Sequence, residues 1–196
     1  HGLTPQEIFF YRFLIAYIGI WAISPKHLFA DNLKDELWLV AGGVFGGSLY
    51  FFTENTALGI TQASNVAFII CTAPLLTTIL SLLFYKSEKA TKGLIYGSLL
   101  ALIGVGLVVF NGSVVLKLSP VGDLLTLLAA LSWAFYSLVI KRMTGRYPTV
   151  FITRKIFFYG VLTILPAFLL HPLQPDFDVL LQPLVLSNLL FLAVLA

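Results

Sequence analysis

Seven long apolar stretches, separated by short polar gaps, make up nearly the whole chain of 196 residues. A helix needs about 20 apolar residues to cross the hydrocarbon core of a bilayer. The stretches are continuously apolar and do not alternate with a period of two, which favours helices over the strands of a barrel. The pattern therefore predicts an all-α integral membrane protein, a polytopic helix bundle. The predicted spans are 8–23, 37–58, 65–85, 93–110, 123–140, 151–170 and a last one from about residue 184.

Composition excludes a water-soluble fold and gives no sign of an enzyme. Hydrophobic residues make up 59% of the chain, charged residues 11%, and the mean hydropathy is +0.95, whereas soluble domains are about 45–50% apolar and 25% charged. Cys71 is the single cysteine, and His1, His27 and His171 have no metal-ligand spacing. Nucleotide-binding loops and nucleophile elbows are absent. We expect no catalytic residue, no metal and no cofactor.

The basic residues gather in alternate gaps between the apolar stretches. Because short loops rich in Lys and Arg stay cytoplasmic, this alternation predicts the orientation and leaves Arg12 and Lys117 on the outer side. The net charge of +3 does not indicate a nucleic-acid partner, since no basic face with interleaved aromatic residues is present. Ten of the 12 basic residues follow the pattern: Lys26, Lys34, Lys86, Lys89, Lys92, Lys141, Arg142, Arg146, Arg154 and Lys155.

Polar residues inside the spans indicate a functional interior. An ionisable group in hydrocarbon costs about 2.5–3.5 kcal/mol or more and normally faces the bundle interior. Glu54, with Asn55 beside it, lies toward the outer end of the second span and suits proton coupling or a cationic substrate. A position at headgroup depth, or a hydrogen bond to a neighbouring helix, is an equal alternative for Glu54. Arg154 and Lys155 are expected to extend toward the lipid headgroups at the cytoplasmic end of the sixth span.

Helical spacing in the fifth span places Thr126, Ala130, Trp133 and Ser137 on one face, with Tyr136 beside it. This stripe is typical of a cavity lining and equally of a packed seam between helices. We predict that Glu54, Asn55, Trp133 and Tyr136 bind the substrate.

Glycine pairs and one proline predict how the helices pack and bend. Residues 42/46, 43/47 and 93/97 form Gly-x-x-x-Gly pairs, which let helix backbones approach closely. A flexible gate is the alternative for these pairs. Pro74 in the middle of the third span removes a backbone hydrogen bond and predicts a kink.

The order of several motifs resembles the EamA family of the drug/metabolite transporter superfamily. The motifs are Glu88-Lys89-Ala90-Thr91, then Gly97, Gly104-Val105-Gly106, Gly122-Asp123-Leu124-Leu125 and the stretch 128–136, with Asn55-Thr56-Ala57-Leu58, Ala63 and Pro74 before them. The resemblance implies ten helices in two inverted five-helix repeats. Residues 1–112 would be the remainder of the first repeat, with helices two to five, and 113–196 the start of the second, with helices six to eight. Since the chain starts at His1 and ends in an apolar run, we expect it to be a fragment.

Members of that family are secondary carriers, so the resemblance implies alternating-access transport of amino acids, related polar metabolites or drugs. The expected location is the cytoplasmic (inner) membrane, and the expected partners are a small-molecule substrate and the lipid bilayer, with a homodimer left open. Two alternatives remain. One is a membrane receptor or assembly module that does not transport. The other is an integral-membrane enzyme on lipid-linked substrates, whose candidate groups would be Asp123, His171, Asp176 and Asp178.

Overall fold

The computed structural model describes residues 3–25, 28–85, 91–110, 119–170 and 177–194. The described residues are helical, joined by short turns, and contain no strand. Each of the seven predicted apolar stretches is helical, so the predicted all-α class is confirmed. The elements are α1 Pro5–Ile23, α2 Leu33–Gly43, a π-helical turn Val44–Ser48, α3 Leu49–Ile60, α4 Ala63–Ile70, α5 Ala73–Phe84, α6 Lys92–Phe110, α7 Pro120–Thr144, α8 Thr149–Ile164, α9 Ala167–Leu170, α10 Phe177–Leu180 and α11 Pro183–Val194.

Four helical stretches in the described part of the chain are long and apolar enough to cross a membrane. They are Pro5–Ile23, Ala63–Phe84, Pro120–Thr144 and Thr149–Leu169. Further apolar segments are Ile95–Gly104 within α6 and Pro183–Ala193 within α11. The second predicted span is interrupted by the π-helical turn, whose sequence Val-Phe-Gly-Gly-Ser contains two glycines.

Polar caps start α1 and α2 several residues before the apolar stretches begin. Thr4 accepts a hydrogen bond from the backbone N–H of Glu7 at 3.3 Å, and Glu7 accepts one from the backbone N–H of Thr4 at 2.8 Å. Asn32 caps α2 by accepting from the backbone N–H of Asp35 at 2.8 Å. These caps satisfy backbone donors that have no partner within the helix. The spans predicted from the hydrophobic pattern alone, 8–23 and 37–58, therefore begin later than helices α1 and α2 do.

The chain forms two compact units, residues 1–48 with 140–196 and residues 49–139. Each unit combines segments from both predicted repeats. The predicted boundary between residues 112 and 113 lies outside the described residues, and the repeat assignment stays a prediction. Several basic residues of the charge pattern also lie outside them: Lys26, Lys86, Lys89 and Lys117.

In the first unit, α8 packs closely against α1, α2 and the π-helical turn through glycines. A Cβ atom at Gly43 would lie 2.5 Å from the Cβ of Tyr159, and one at Gly47 would lie 3.2 Å from the Cα of Gly160. At Gly160 itself, a Cβ would come within 2.7 Å of the Phe13 ring. The packing role predicted for the 43/47 pair is confirmed, and Gly160 is the residue it faces.

In the second unit, the third predicted span bends where the sequence contains proline. Helix α4 ends at Ile70, residues 71–72 form a turn, and α5 begins with Pro74 in its first turn. The helix is therefore interrupted just before Pro74, where the sequence predicts a kink. Gly106 of α6 faces the Phe68 ring, 3.1 Å from an added Cβ. Gly93 and Gly97 have no neighbour within 4 Å among the described residues, so the packing predicted for that pair is not found there.

Candidate functional site

A carboxylate and three aromatic rings form a connected group in the second unit. Tyr50 and Glu54 lie one turn apart on α3, and the Tyr50 hydroxyl donates a hydrogen bond to Glu54 Oε1 at 3.1 Å. Residues at this spacing share a helix face. Glu54 is half-buried.

Helix α7 supplies the other two rings. The ring centroid of Trp133 lies 5.2 Å from that of Tyr50 and 5.2 Å from that of Tyr136, with interplanar angles of 54° in both pairs. Trp133 is 40% exposed and Tyr136 is half-buried. We call Tyr50, Glu54, Trp133 and Tyr136 the aromatic–carboxylate cluster.

The cluster contains three of the four predicted binding residues, namely Glu54, Trp133 and Tyr136. Asn55 is half-buried and follows Glu54, but adjacent helix positions point about 100° apart, and it is not part of these contacts. Tyr50 was not among the predicted binding residues, and its contacts with Glu54 and Trp133 add it to this group. Its spacing of four residues before Glu54 was the available signal.

The polar and aromatic stripe predicted on α7 is buried in its first half and partly exposed in its second half. Thr126 and Ala130 are completely buried, and the Thr126 hydroxyl donates to the carbonyl of Gly122 at 2.7 Å. Further along, Ser137 donates to the carbonyl of Trp133 at 2.9 Å. The first half of the stripe is therefore a packed seam, and the second half carries the exposed ring of the cluster.

A second polar group, in the first unit, is built around Asp35 at the start of α2. Arg146 Nη1 lies 3.0 and 3.1 Å from the two carboxylate oxygens of Asp35, and the Tyr147 hydroxyl donates to Oδ2 at 3.1 Å. The Asp35 side chain is 2% exposed. Burial alone would raise the pKa of Asp35, but hydrogen bonds from Asn32, Arg146 and Tyr147 hold that pKa below its ordinary value.

Beside it, Glu36 pairs with a lysine from the middle of α8. Lys155 forms an ion pair with Glu36 and donates to the carbonyl of Leu28 at 3.0 Å, while the Tyr159 hydroxyl also donates to Glu36. Burial alone would raise the pKa of Glu36, but hydrogen bonds from Lys155 and Tyr159 hold that pKa below its ordinary value. Two adjacent carboxylates of α2 therefore bind two bases: Asp35 binds Arg146 from the turn after α7, and Glu36 binds Lys155 from α8.

The headgroup-facing positions predicted for Arg154 and Lys155 are wrong. Their exposed fractions are 2% and 3%, and Arg154 donates to the carbonyl of Ser24. The sequence suggested solvated ends because both bases lie near a span terminus. The groups that they contact, the Ser24 carbonyl and the Glu36 carboxylate, are over 100 positions away in the sequence, so the local pattern carries no sign of these contacts.

Two of the four groups named for a membrane enzyme, Asp123 and Asp178, lie in the described part of the chain and belong to different units. Asp123 accepts a hydrogen bond from the backbone N–H of Ser119 at 3.2 Å, which fits a cap at the start of α7. His171 and Asp176 lie outside the described residues. Among the residues that are described, no group of three or more His, Cys, Asp or Glu side chains could hold a metal ion.

Comparison with known proteins agrees with this helical, apolar architecture. The family model described as "EamA-like transporter family" matches residues 1–110, which is more than half of the chain. The chain belongs to the EamA-like transporter family. It is thus part of a multi-pass membrane protein, and the sequence resemblance to EamA is confirmed.

Relatives named as transporters match over most of the chain. "Uncharacterized transporter YdfC" of Bacillus subtilis (strain 168) is 32% identical over 149 residues, 74% of this chain and 47% of its own length. An "Uncharacterized transporter" of Archaeoglobus fulgidus is 26% identical over 197 residues, 98% of this chain and 66% of its own. One solved crystal structure matches with a TM-score of 0.73 and 18% identity, covering 98% of this chain and 65% of that one.

The EamA chain described here thus spans about half to two thirds of the length of these relatives. The structural match, at 18% identity, shows a shared fold. The names of the relatives state that they are transporters and do not state a substrate.

Proposed function

We propose that the full-length protein is a secondary transporter of small polar metabolites, such as amino acids or related compounds and drugs, in the cytoplasmic membrane. It works by alternating access between two inverted repeats. Membership of the EamA-like family, four membrane-length helices in the described residues and relatives named as transporters support this proposal.

The aromatic–carboxylate cluster is the proposed substrate site, and Asn55 is kept as a further candidate. The supporting observation is that Glu54, a lone carboxylate within a predicted span, is hydrogen-bonded to Tyr50, whose ring contacts Trp133. Carboxylates bind ammonium groups, and a cation over an aromatic face gains about 0.5–2 kcal/mol. This combination favours a substrate that carries a positively charged nitrogen.

A transport assay on the full-length protein in proteoliposomes tests the proposal. A metabolite screen of a strain lacking the gene identifies candidate substrates, and uptake of each is then measured with labelled compound. We expect Glu54→Gln to lower kcat/KM at least tenfold, because a hydrogen bond to a charged group contributes about 1.5–3 kcal/mol. Glu54→Asp, which keeps the charge, should lose less.

Three further variants test whether the effect belongs to the cluster. Trp133→Ala should weaken transport and Trp133→Phe should largely preserve it, since the second keeps an aromatic face. Thr56→Ala is the matched control on α3, because the exposed Thr56 hydroxyl bonds only its own helix, at the carbonyl of Phe52. Unchanged rate and pH dependence in Glu54→Gln would refute the role of Glu54. Absence of uptake for every metabolite would favour a membrane module that does not transport.

A further inference from the structure

A cavity of about 400 Å³ lies in the first unit, between the segment after α1 and the start of α8. Its lining includes Phe29, Asp31, Arg146, Tyr147 and Phe151. This volume is within the range of about 300–1,000 Å³ that is usual for small-molecule sites. None of these residues belongs to the aromatic–carboxylate cluster, which lies in the other unit. The basic gaps predict that this end of the first unit faces the cytoplasm.

Arg146 offers unused donors to this cavity. Its Nη1 atom is held by both oxygens of the buried Asp35, at 3.0 and 3.1 Å. Its Nε and Nη2 atoms make no hydrogen bond to the described residues, and its side chain is 53% exposed. A guanidinium group carries five N–H donors in a planar fork that matches a carboxylate. Asp35 therefore anchors one side of Arg146 and leaves the other side available to an anionic group.

Asp31 adds the opposite charge to the same lining. Its backbone N–H donates to the Tyr147 hydroxyl at 3.1 Å, which ties the segment before α2 to the turn before α8. Its carboxylate is exposed and makes no hydrogen bond within the described part of the chain. An anion alone would be repelled by Asp31 and a cation alone by Arg146. A molecule with both charges would satisfy both side chains.

The remaining walls are aromatic. Tyr147 and Phe151 stack with their ring centroids 5.1 Å apart and an interplanar angle of 28°. Phe29 is 72% exposed, and Lys155 Nζ lies 5.0 Å from its ring centroid. Such walls favour the apolar body of a ligand, because burying it removes apolar surface from water.

We propose that this cavity is a second ligand site, which binds a small zwitterion with an apolar body. Its carboxylate pairs with Arg146, its ammonium group pairs with Asp31, and its apolar part lies against Phe29, Tyr147 and Phe151. The proposal concerns binding at the predicted cytoplasmic end and does not depend on transport through the aromatic–carboxylate cluster.

Calorimetric binding to the purified full-length protein in detergent tests this site with three probes. L-phenylalanine carries both charges, 3-phenylpropionate carries only the carboxylate, and phenethylamine carries only the ammonium group. We expect L-phenylalanine to bind at least tenfold more tightly than either of the others. Equal affinities for the three probes, or no binding of L-phenylalanine, would overturn the proposal.

Variants distinguish this cavity from the proposed transport site. Asp31→Asn changes an exposed side chain and should weaken L-phenylalanine binding at least tenfold without weakening that of 3-phenylpropionate. Lys34→Gln, an exposed base outside the lining, is the matched control and should leave both affinities unchanged. If Glu54→Gln abolishes binding and Asp31→Asn does not, the second site is refuted, whatever the transport assay shows.

Discussion

The close approach of α2 to α8 makes Gly43→Ala the sharpest test of the packing in the first unit. The added Cβ would lie 2.5 Å from the Cβ of Tyr159 and 2.9 Å from the backbone nitrogen of Gly160. These are not the far ends of flexible side chains, so they cannot move aside without moving the helix. Ordinary contact begins near 3.4 Å, so the two helices would have to separate by about 0.9 Å at this point.

The expected cost follows from two opposing effects. A gap of 0.5–1 Å forfeits about a quarter to a half of the dispersion energy of each affected contact, and overpacking typically costs about 1–3 kcal/mol. Alanine is favoured over glycine within a helix by about 0.8–1.0 kcal/mol. We therefore expect a net loss of up to about 2 kcal/mol. For a chain of this size, the loss corresponds to a fall in Tm of up to about 8 °C.

Thermal unfolding in detergent, followed by loss of the monodisperse protein, measures this effect. Gly19→Ala on α1 is the matched control, because an added Cβ there meets nothing within 4 Å of the described structure. It should keep or raise the Tm, by up to about 4 °C. Gly47→Ala should fall between the two, since its nearest contact would be 3.2 Å. A Gly43→Ala protein as stable as Gly19→Ala would refute the packing argument.

Two further predictions concern the charges at the start of α2. The variant Lys155→Met should destabilise the protein by about 3–5 kcal/mol, because Glu36 loses its ion-pair partner. In the same unfolding assay, the double variant Lys155→Met/Glu36→Gln should recover part of that loss. If the losses of the two single variants simply add in the double variant, the pairing is contradicted. The lowered pKa of Asp35 means that its contribution to stability is fully present above its ordinary pKa of 3.8 and is lost as the pH falls through the lower folded value. The Tm difference between wild type and Asp35→Asn should therefore be constant from pH 8 to pH 5 and shrink below about pH 4, whereas a difference that is independent of pH would contradict this assignment.

Much of the candidate site was accessible from sequence because charge is rare within the apolar stretches. Glu54 was identifiable because it is the only Asp, Glu, Lys or Arg residue within the second predicted span. Trp133 and Tyr136 followed from helical spacing along one stretch. Tyr50 joined them only in the structure, where its hydroxyl donates to Glu54 and its ring contacts Trp133. That contact joins residues 83 positions apart, and no local pattern records such a distance.

Hydropathy and the distribution of basic residues alone determined that this chain is an all-α membrane protein and predicted which gaps face the cytoplasm. Both properties depend on the transfer of each segment between water and lipid, which is a property of the segment itself. Tertiary structure decided which charges are buried. Arg154 and Lys155 looked like solvated span ends, yet they are enclosed because carbonyls and a carboxylate of distant segments satisfy them. A buried charge is stable only when a partner is in place, and that partner is brought there by folding.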